Sequence, residues 1–428
     1  MPQHVDLIIH NAGELVTCAA GGKPKRGQAM RDAGVIGEGA VAASKGKIAA
    51  VGSSDNILHE FSADEVLDAE GRVVCPGLVD PHTHIVYGGD RLAEFELKIK
   101  GADYLEIMAA GGGILSTVWH TRNSSVDQLV SESTKRLDKM LACGTTTCEI
   151  KSGYGLDTET ELKMLAVIAE LDKRHPIDVV PTFLAAHTIP TEYKGNTQGY
   201  VDLVCGEMLP RAWDWYSASH FATQNTPFFA DVFCEKNAFG LEETGRILET
   251  AKALWFGVKA HVDQFTNLGG SNLAIEIGAI SIDHLDSISD DEIRQLAASE
   301  TIGVVIPTES FNAGKTKFAP ARRMIDAGCA VALTTDYNPG SAPCPSLPMA
   351  MAISTRYQNL LPAEALCAAT INAAYSIGLG TTHGSLEVGK VADLLILDTD
   401  DHRQLAHEFG GNLVTKVLKN AAVVYEHR

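Results

Sequence analysis

No two of the nine cysteines are spaced C-x-x-C, and their number is odd. A zinc ribbon, a redox dithiol and a fully paired disulfide framework are therefore not expected, and most of these cysteines read as reduced core residues. No apolar run is long enough to cross a bilayer. The opening residues Met-Pro-Gln-His-Val-Asp lack a basic stretch followed by an apolar one, so no signal peptide is expected and the chain reads as cytoplasmic. Positive charge is scarce: the net charge is −19, with acidic residues spread along the chain rather than gathered in a tail. Nucleic acid and anionic membranes are thus not expected partners, whereas a small anionic substrate needs only local positive groups. Gly111-Gly112-Gly113 is not followed by Gly-Lys-Ser/Thr, and no serine stands in a G-x-S-x-G setting. Phosphate-loop and serine-nucleophile chemistry are correspondingly disfavoured. There is no fixed-period repeat.

What is present fits an ordinary globular protein. With 428 residues, 45% of them hydrophobic, the chain is long enough for one large domain and one smaller one. Short alternating strands stand near the start (Val5 to Ile9, Ala40 to Ala43, Ile48 to Val51) and again near the end (Ala392 to Asp398, Val414 to Leu418, Ala422 to Tyr425). This predicts a small β-sandwich domain built from both termini, 1–72 plus 385–428. Between them, eight apolar runs end in polar residues: Val74 to His84, Thr145 to Lys151, Asp178 to His187, Ala230 to Glu235, Val258 to Asp263, Ser281 to His284, Gly303 to Thr308 and Val331 to Asp336. Helical patterns separate them, as at Val126 to Leu141 and Glu159 to Leu171. Near-continuous apolar strands alternating with helices predict a parallel sheet. Eight units suit a (β/α)8 barrel over 73–384, an α/β fold whose chemistry sits where strands end.

Those ends carry His82, His84, Lys151, His187, His261, His284 and Asp336. The other ten histidines are expected at surface or cap positions. Imidazoles with a carboxylate suit a borderline transition metal such as zinc, iron or manganese. A metal-bound water is acidified from about 15.7 toward about 7, and a neighbouring carboxylate takes up its proton and returns it to a leaving nitrogen. Such groups hydrolyse carbon–nitrogen bonds.

Pro76-Gly77-Leu78-Val79-Asp80-Pro81-His82-Thr83-His84, a later strand-end histidine and Thr334-Thr335-Asp336 together resemble the amidohydrolase superfamily. Tyr87 to Arg91, Glu94 to Leu97, Lys100 to Tyr104, Ala110 to Val118, Lys151 to Leu156, Asp231 to Glu235, Asp336 to Gly340 and Gly389 to Asp393 are similar to the imidazolonepropionase family within it. The resemblance implies hydrolytic ring opening of 4-imidazolone-5-propanoate to N-formimino-L-glutamate, in histidine degradation. It also implies a homodimer, with one divalent or trivalent metal ion, zinc or iron, per subunit. Carried onto this chain, it assigns the metal to His82, His84, His261 and Asp336. It places substrate against Arg91, Tyr104, Tyr154, His187, Gln264, Asn338, Gly340 and Ser341, and gives the catalytic work to Asp336, His284 and Gln264.

Two stretches depart from the family pattern. Gln264 stands where some members carry a substrate-touching glutamate; an amide hydrogen-bonds a ring but is a poor base, which leaves proton transfer to Asp336 or His284. Pro307-Thr308-Glu309-Ser310-Phe311-Asn312 replaces the usual Pro-Gly-Ala-Phe stretch. The alternatives are another cyclic amidohydrolase or a deaminase acting on a carboxylate-bearing nitrogen heterocycle, and, in a different class, a non-catalytic barrel serving as a scaffold.

Overall fold

The computed structural model describes residues 2–101 and 112–427. Five strands come first: β1 (Gln3–Val16), β2 (Val35–Ser44), β3 (Lys47–Ser53), β4 (Phe61–Asp68) and β5 (Val73–Pro76). Eight barrel strands follow: β6 (Leu78–Asp80), β7 (Thr145–Lys151), β8 (Asp178–Ala186), β9 (Phe229–Cys234), β10 (Gly257–Val262), β11 (Ser281–His284), β12 (Ile302–Val305) and β13 (Val331–Leu333). The chain closes with β14 (Leu394–Leu397), β15 (Val414–Lys419) and β16 (Ala422–Glu426).

The first and last groups form one sheet in the order β16-β15-β14-β5-β1-β2-β3, with β4 also pairing β1. On one edge β1 runs antiparallel to β2; on the other it is parallel to β4 along its first half and to β5 at Glu14 and Leu15. Both faces are apolar with a period of two, as a strand covered on both sides requires. Leu7, Ile9, Val41 and Ala43 join Val74, Leu394 and Ile396 in one cluster, while Ile8, Ala40 and Ala42 pack with Ile57 on the other side.

The barrel strands are parallel, in the order β6 to β13. Their crossover helices are amphipathic and capped. Val126–Ala142 buries Leu129, Leu137 and Met140 behind a Ser125 cap, and Thr158–Arg174 starts at Asp157, whose carboxylate accepts from Thr160 N. Side chains bridge the seam between β6 and β13. The Asp80 carboxylate accepts from both Thr334 and Thr335 hydroxyls, and His84 N donates to Tyr337 O at 2.9 Å. At the opposite end, Ala373, Ala374 and Ile377 plug the barrel against Val79, Val180, Phe229, Ile302 and Val304.

The run expected as one strand from Val74 to His84 is two. Val73–Pro76 pairs in the terminal sheet, past the boundary expected at 72/73, and Leu78–Asp80 in the barrel. Only Gly77 separates them. A Cβ there would lie 2.2 Å from Thr146 Oγ1, so the crossing between sheets leaves no room for a side chain. Lys419 ties the sheets together, with Nζ 2.7 Å from Asp178 Oδ2 and His383 Nε2 3.0 Å from the same oxygen.

All nine cysteines are free, and seven are buried. Among the described residues no helix is long and apolar enough to cross a membrane.

Candidate active site

The strand ends deliver their side chains to one cavity of about 460 Å³. Its walls include His84, Tyr154, His187, His261, His284 and Asp336, with Arg91, Gln264, Asn338, Gly340 and Ser341. Tyr104 lies outside the described residues.

At its base three buried imidazoles, His82, His84 and His261, bring ring nitrogens within 4.8 Å of one another. The Nε2 atoms of His82 and His84 are 3.2 Å apart, and Asp336 Oδ1 lies 3.6 Å from the first and 3.7 Å from the second. The outer nitrogens of His82 and His261 are occupied, whereas His84 Nδ1 has no hydrogen-bond partner. His82 Nδ1 meets Asp283 Oδ2 at 2.6 Å, and His261 Nδ1 meets Asp231 Oδ1 at 3.0 Å. A carboxylate on Nδ1 selects the tautomer whose Nε2 lone pair is free, as in metal-binding histidines. Burial, then Lys151 and the neighbouring rings, keeps His82 neutral, with its pKa well below the usual imidazole range. His261 Nε2 is buried with no hydrogen-bond partner. An orphaned lone pair beside two others and a carboxylate fits a cation, and the set suits zinc or iron.

Below the imidazoles lies a fully buried ionic layer. Lys151 Nζ is 2.7 Å from Asp231 Oδ2 and 3.0 Å from Glu149 Oε2, and Lys259 Nζ is 2.8 Å from the same Glu149 oxygen. Burial opposes ionisation of Lys151, but Asp231, Glu149 and Asp283 outweigh it and raise its pKa. Lys151, expected among the strand-end groups, therefore sits beneath the cavity and fixes the carboxylates that orient the histidines. Sequence reasoning missed Lys259, Glu149 and Asp283. For Lys259 and Glu149 the signal was a charge two residues before a strand-end group, as in Lys259-Ala260-His261 and Glu149-Ile150-Lys151, which alternation places on the same inward face; Asp283, directly before His284, carried no such spacing.

The upper wall is built from loops. His187 stacks on His84 with centroids 4.9 Å apart, and its Nδ1 lies 3.1 Å from Gly153 O; burial, then His261, lowers its pKa to about 3. Asn338 is fully engaged: Nδ2 donates to Asp336 O and Ser341 Oγ, while Oδ1 accepts from Gly340 N and Ser341 N. His284 and Asp336 have φ of +83° and +49°. Such strained conformations persist only where surrounding contacts over-determine them.

Pro307–Asn312 is a short helix whose Glu309 is buried close to His284 and Asp286, with Lys315 Nζ at 3.1 Å. Among the ten histidines expected at surface or cap positions, His175 is the C-cap of the helix Thr158–Arg174, buried there in a contact with Asp138.

A sequence profile of the Amidohydrolase family matches residues 247–424. The chain is 53% identical to the imidazolonepropionase of Chloroflexus aggregans over 419 residues, covering 98% of each. With the imidazolonepropionase of Herpetosiphon aurantiacus it shares 51% identity, over 98% of this chain and 97% of that one. The chain belongs to the imidazolonepropionase family. Its fold is also that of more distant enzymes. A zinc-bound adenosine deaminase from Xanthomonas campestris superposes with a TM-score of 0.69 at 19% identity, over 99% of this chain and 93% of that one. Escherichia coli guanine deaminase gives 0.71 at 14% identity, over 98% and 99%. This chain and these deaminases thus share a fold.

Proposed function

We propose that this member of the imidazolonepropionase family hydrolyses 4-imidazolone-5-propanoate to N-formimino-L-glutamate. The observation that carries the reading is the joint presence, in one cavity, of three inward-facing imidazoles beside Asp336 and of Arg91 at the rim. One group prepares a nucleophile and the other receives a carboxylate. Held by His82, His84, His261 and Asp336, a zinc or iron ion supplies acidified water at neutral pH.

The chain's own residues do the rest. Arg91 binds the propanoate tail, since a guanidinium offers a fork of donors to a carboxylate. Tyr154 and His187 wall the ring, and Gln264 hydrogen-bonds its edge. Asn338, through its four bonds, holds the loop bearing Gly340 and Ser341. Asp336 accepts the proton of the attacking water and delivers it to the ring nitrogen as the amide C–N bond breaks. His284 hydrogen-bonds the carbonyl oxygen, where charge develops. The working assembly is read as a homodimer, which light scattering tests, and the catalytic unit as the barrel, which starts at Leu78 rather than at residue 73.

The test is the loss of 4-imidazolone-5-propanoate absorbance on adding purified protein, with and without a chelator. Chelator-sensitive loss that yields formiminoglutamate is the expected result. Metal-replete protein without turnover would overturn the reading and direct the search to other carboxylate-bearing cyclic amides.

A further inference from the structure

Arg91 does not stand free at the cavity rim. Its Nε lies 2.5 Å from Glu94 Oε2 and its Nη2 2.6 Å from Glu94 Oε1, a two-point clasp on one edge of the guanidinium. The same buried carboxylate accepts from Lys98 Nζ at 2.7 Å and from Gly113 N at 2.8 Å. Burial by itself would raise the Glu94 carboxyl, yet these donors hold it down to about 2. On the other side lies Gly340. A Cβ there would come within 2.6 Å of Arg91 Nη1, 2.8 Å of Cζ and 3.1 Å of Nη2, so the guanidinium rests directly on the glycine backbone.

We propose that Glu94 and Gly340 are positioning residues that set the carboxylate specificity of the cavity by fixing Arg91 between them. Glu94 engages Nε and Nη2 and leaves the Nη1 N–H groups for a ligand. Two cations against one carboxylate leave a single net positive charge, which matches a monocarboxylate. Without the clasp, Arg91 is a long flexible side chain that must be ordered anew each time a ligand binds, and that entropy weakens binding. The inference rests on the reading of Arg91 as the carboxylate site.

Binding of two ring competitors to the metal-loaded protein tests it by calorimetry: imidazole-4-propanoate, and 4-ethylimidazole, which lacks the carboxylate. In E94Q the amide NH2 faces the guanidinium donors; in G340A the added methyl displaces them from the other side. Loss of an oriented charged hydrogen bond predicts that both variants weaken imidazole-4-propanoate by roughly tenfold to a hundredfold. Affinity for 4-ethylimidazole stays within about twofold in E94Q, whose change lies outside the residues placed against the ring, and in G340A it falls far less than that for imidazole-4-propanoate. Where the protein turns over 4-imidazolone-5-propanoate, KM rises by the same factor and kcat changes far less. Equal weakening of both competitors, or of neither, overturns the proposal, and so does wild-type protein that does not prefer the carboxylate-bearing one. Discrimination without turnover leaves the proposal standing and removes only the assigned reaction.

Discussion

The two ends of the barrel solve opposite problems with the same strands. At the closed end, Val180, Phe229, Ile302 and Val304 meet Ala373, Ala374 and Ile377. Nothing there needs a partner beyond good packing. At the open end the barrel buries four imidazoles, Lys151, Lys259 and several carboxylates, and the lysines and carboxylates are tolerable there only because they answer one another. The closed end is therefore tuned for stability and forgiving of chemistry. The open end is tuned for chemistry and unforgiving of any single deletion.

Removing a proposed metal ligand probes the contrast hardest. His261→Ala should abolish measurable metal content and lower turnover by roughly a thousandfold or more, because water is no longer acidified; metal analysis beside the absorbance assay reads both. Retained activity would break the contrast.

Lys151→Met leaves Asp231 buried without its lysine, while Glu149 keeps Lys259. A broken buried ion pair costs about 3–5 kcal/mol, so urea unfolding should register a large loss together with reduced metal occupancy. Ile302→Ala is the converse case, with a buried apolar side chain removed far from the chemistry. It should cost about 2–5 kcal/mol and leave kcat and KM unchanged, and a change in KM would mean that the closed end reaches the cavity.

Asp178, where the terminal sheet meets the barrel, is the mildest test. Burial would raise its carboxyl, but His383 and Lys419 hold it down to about 2. A depressed carboxylate contributes stability that is complete above its unfolded value of about 4 and lost as pH falls through the folded one. The stability gap between wild type and Asp178→Asn should thus shrink from pH 5 to pH 2, as read by unfolding midpoints. A gap independent of pH would assign the contact to packing alone.

Much of this was legible in the sequence. Apolar runs ending in His82, His84, His261, His284 and Asp336 disclosed the barrel and the cluster at its open end, because closure brings strand ends together whatever their separation in the chain. The charges inside the strands were harder to read. Lys259 and Glu149 are polar residues in runs taken as apolar, and their burial makes sense only once each has its partner across the barrel. The seat of Arg91 was half hidden: its clasp by Glu94 is three residues away in the chain, but Gly340 approaches from a distant loop. The splitting of the first run at Gly77 escaped periodicity because both halves are buried and apolar, and only their pairing distinguishes them.

That crossing at Gly77 has a consequence for synthesis. β5 pairs with β14, Cys75 opposite Leu395 and Val74 opposite Ile396, so on the ribosome one edge of β5 waits until the barrel has emerged. An exposed apolar edge invites pairing with a foreign strand, and contacts so distant in sequence form slowly. Nascent chains that stall before Leu394 should be the ones that aggregate, each offering Val73, Val74 and Cys75 to its neighbours.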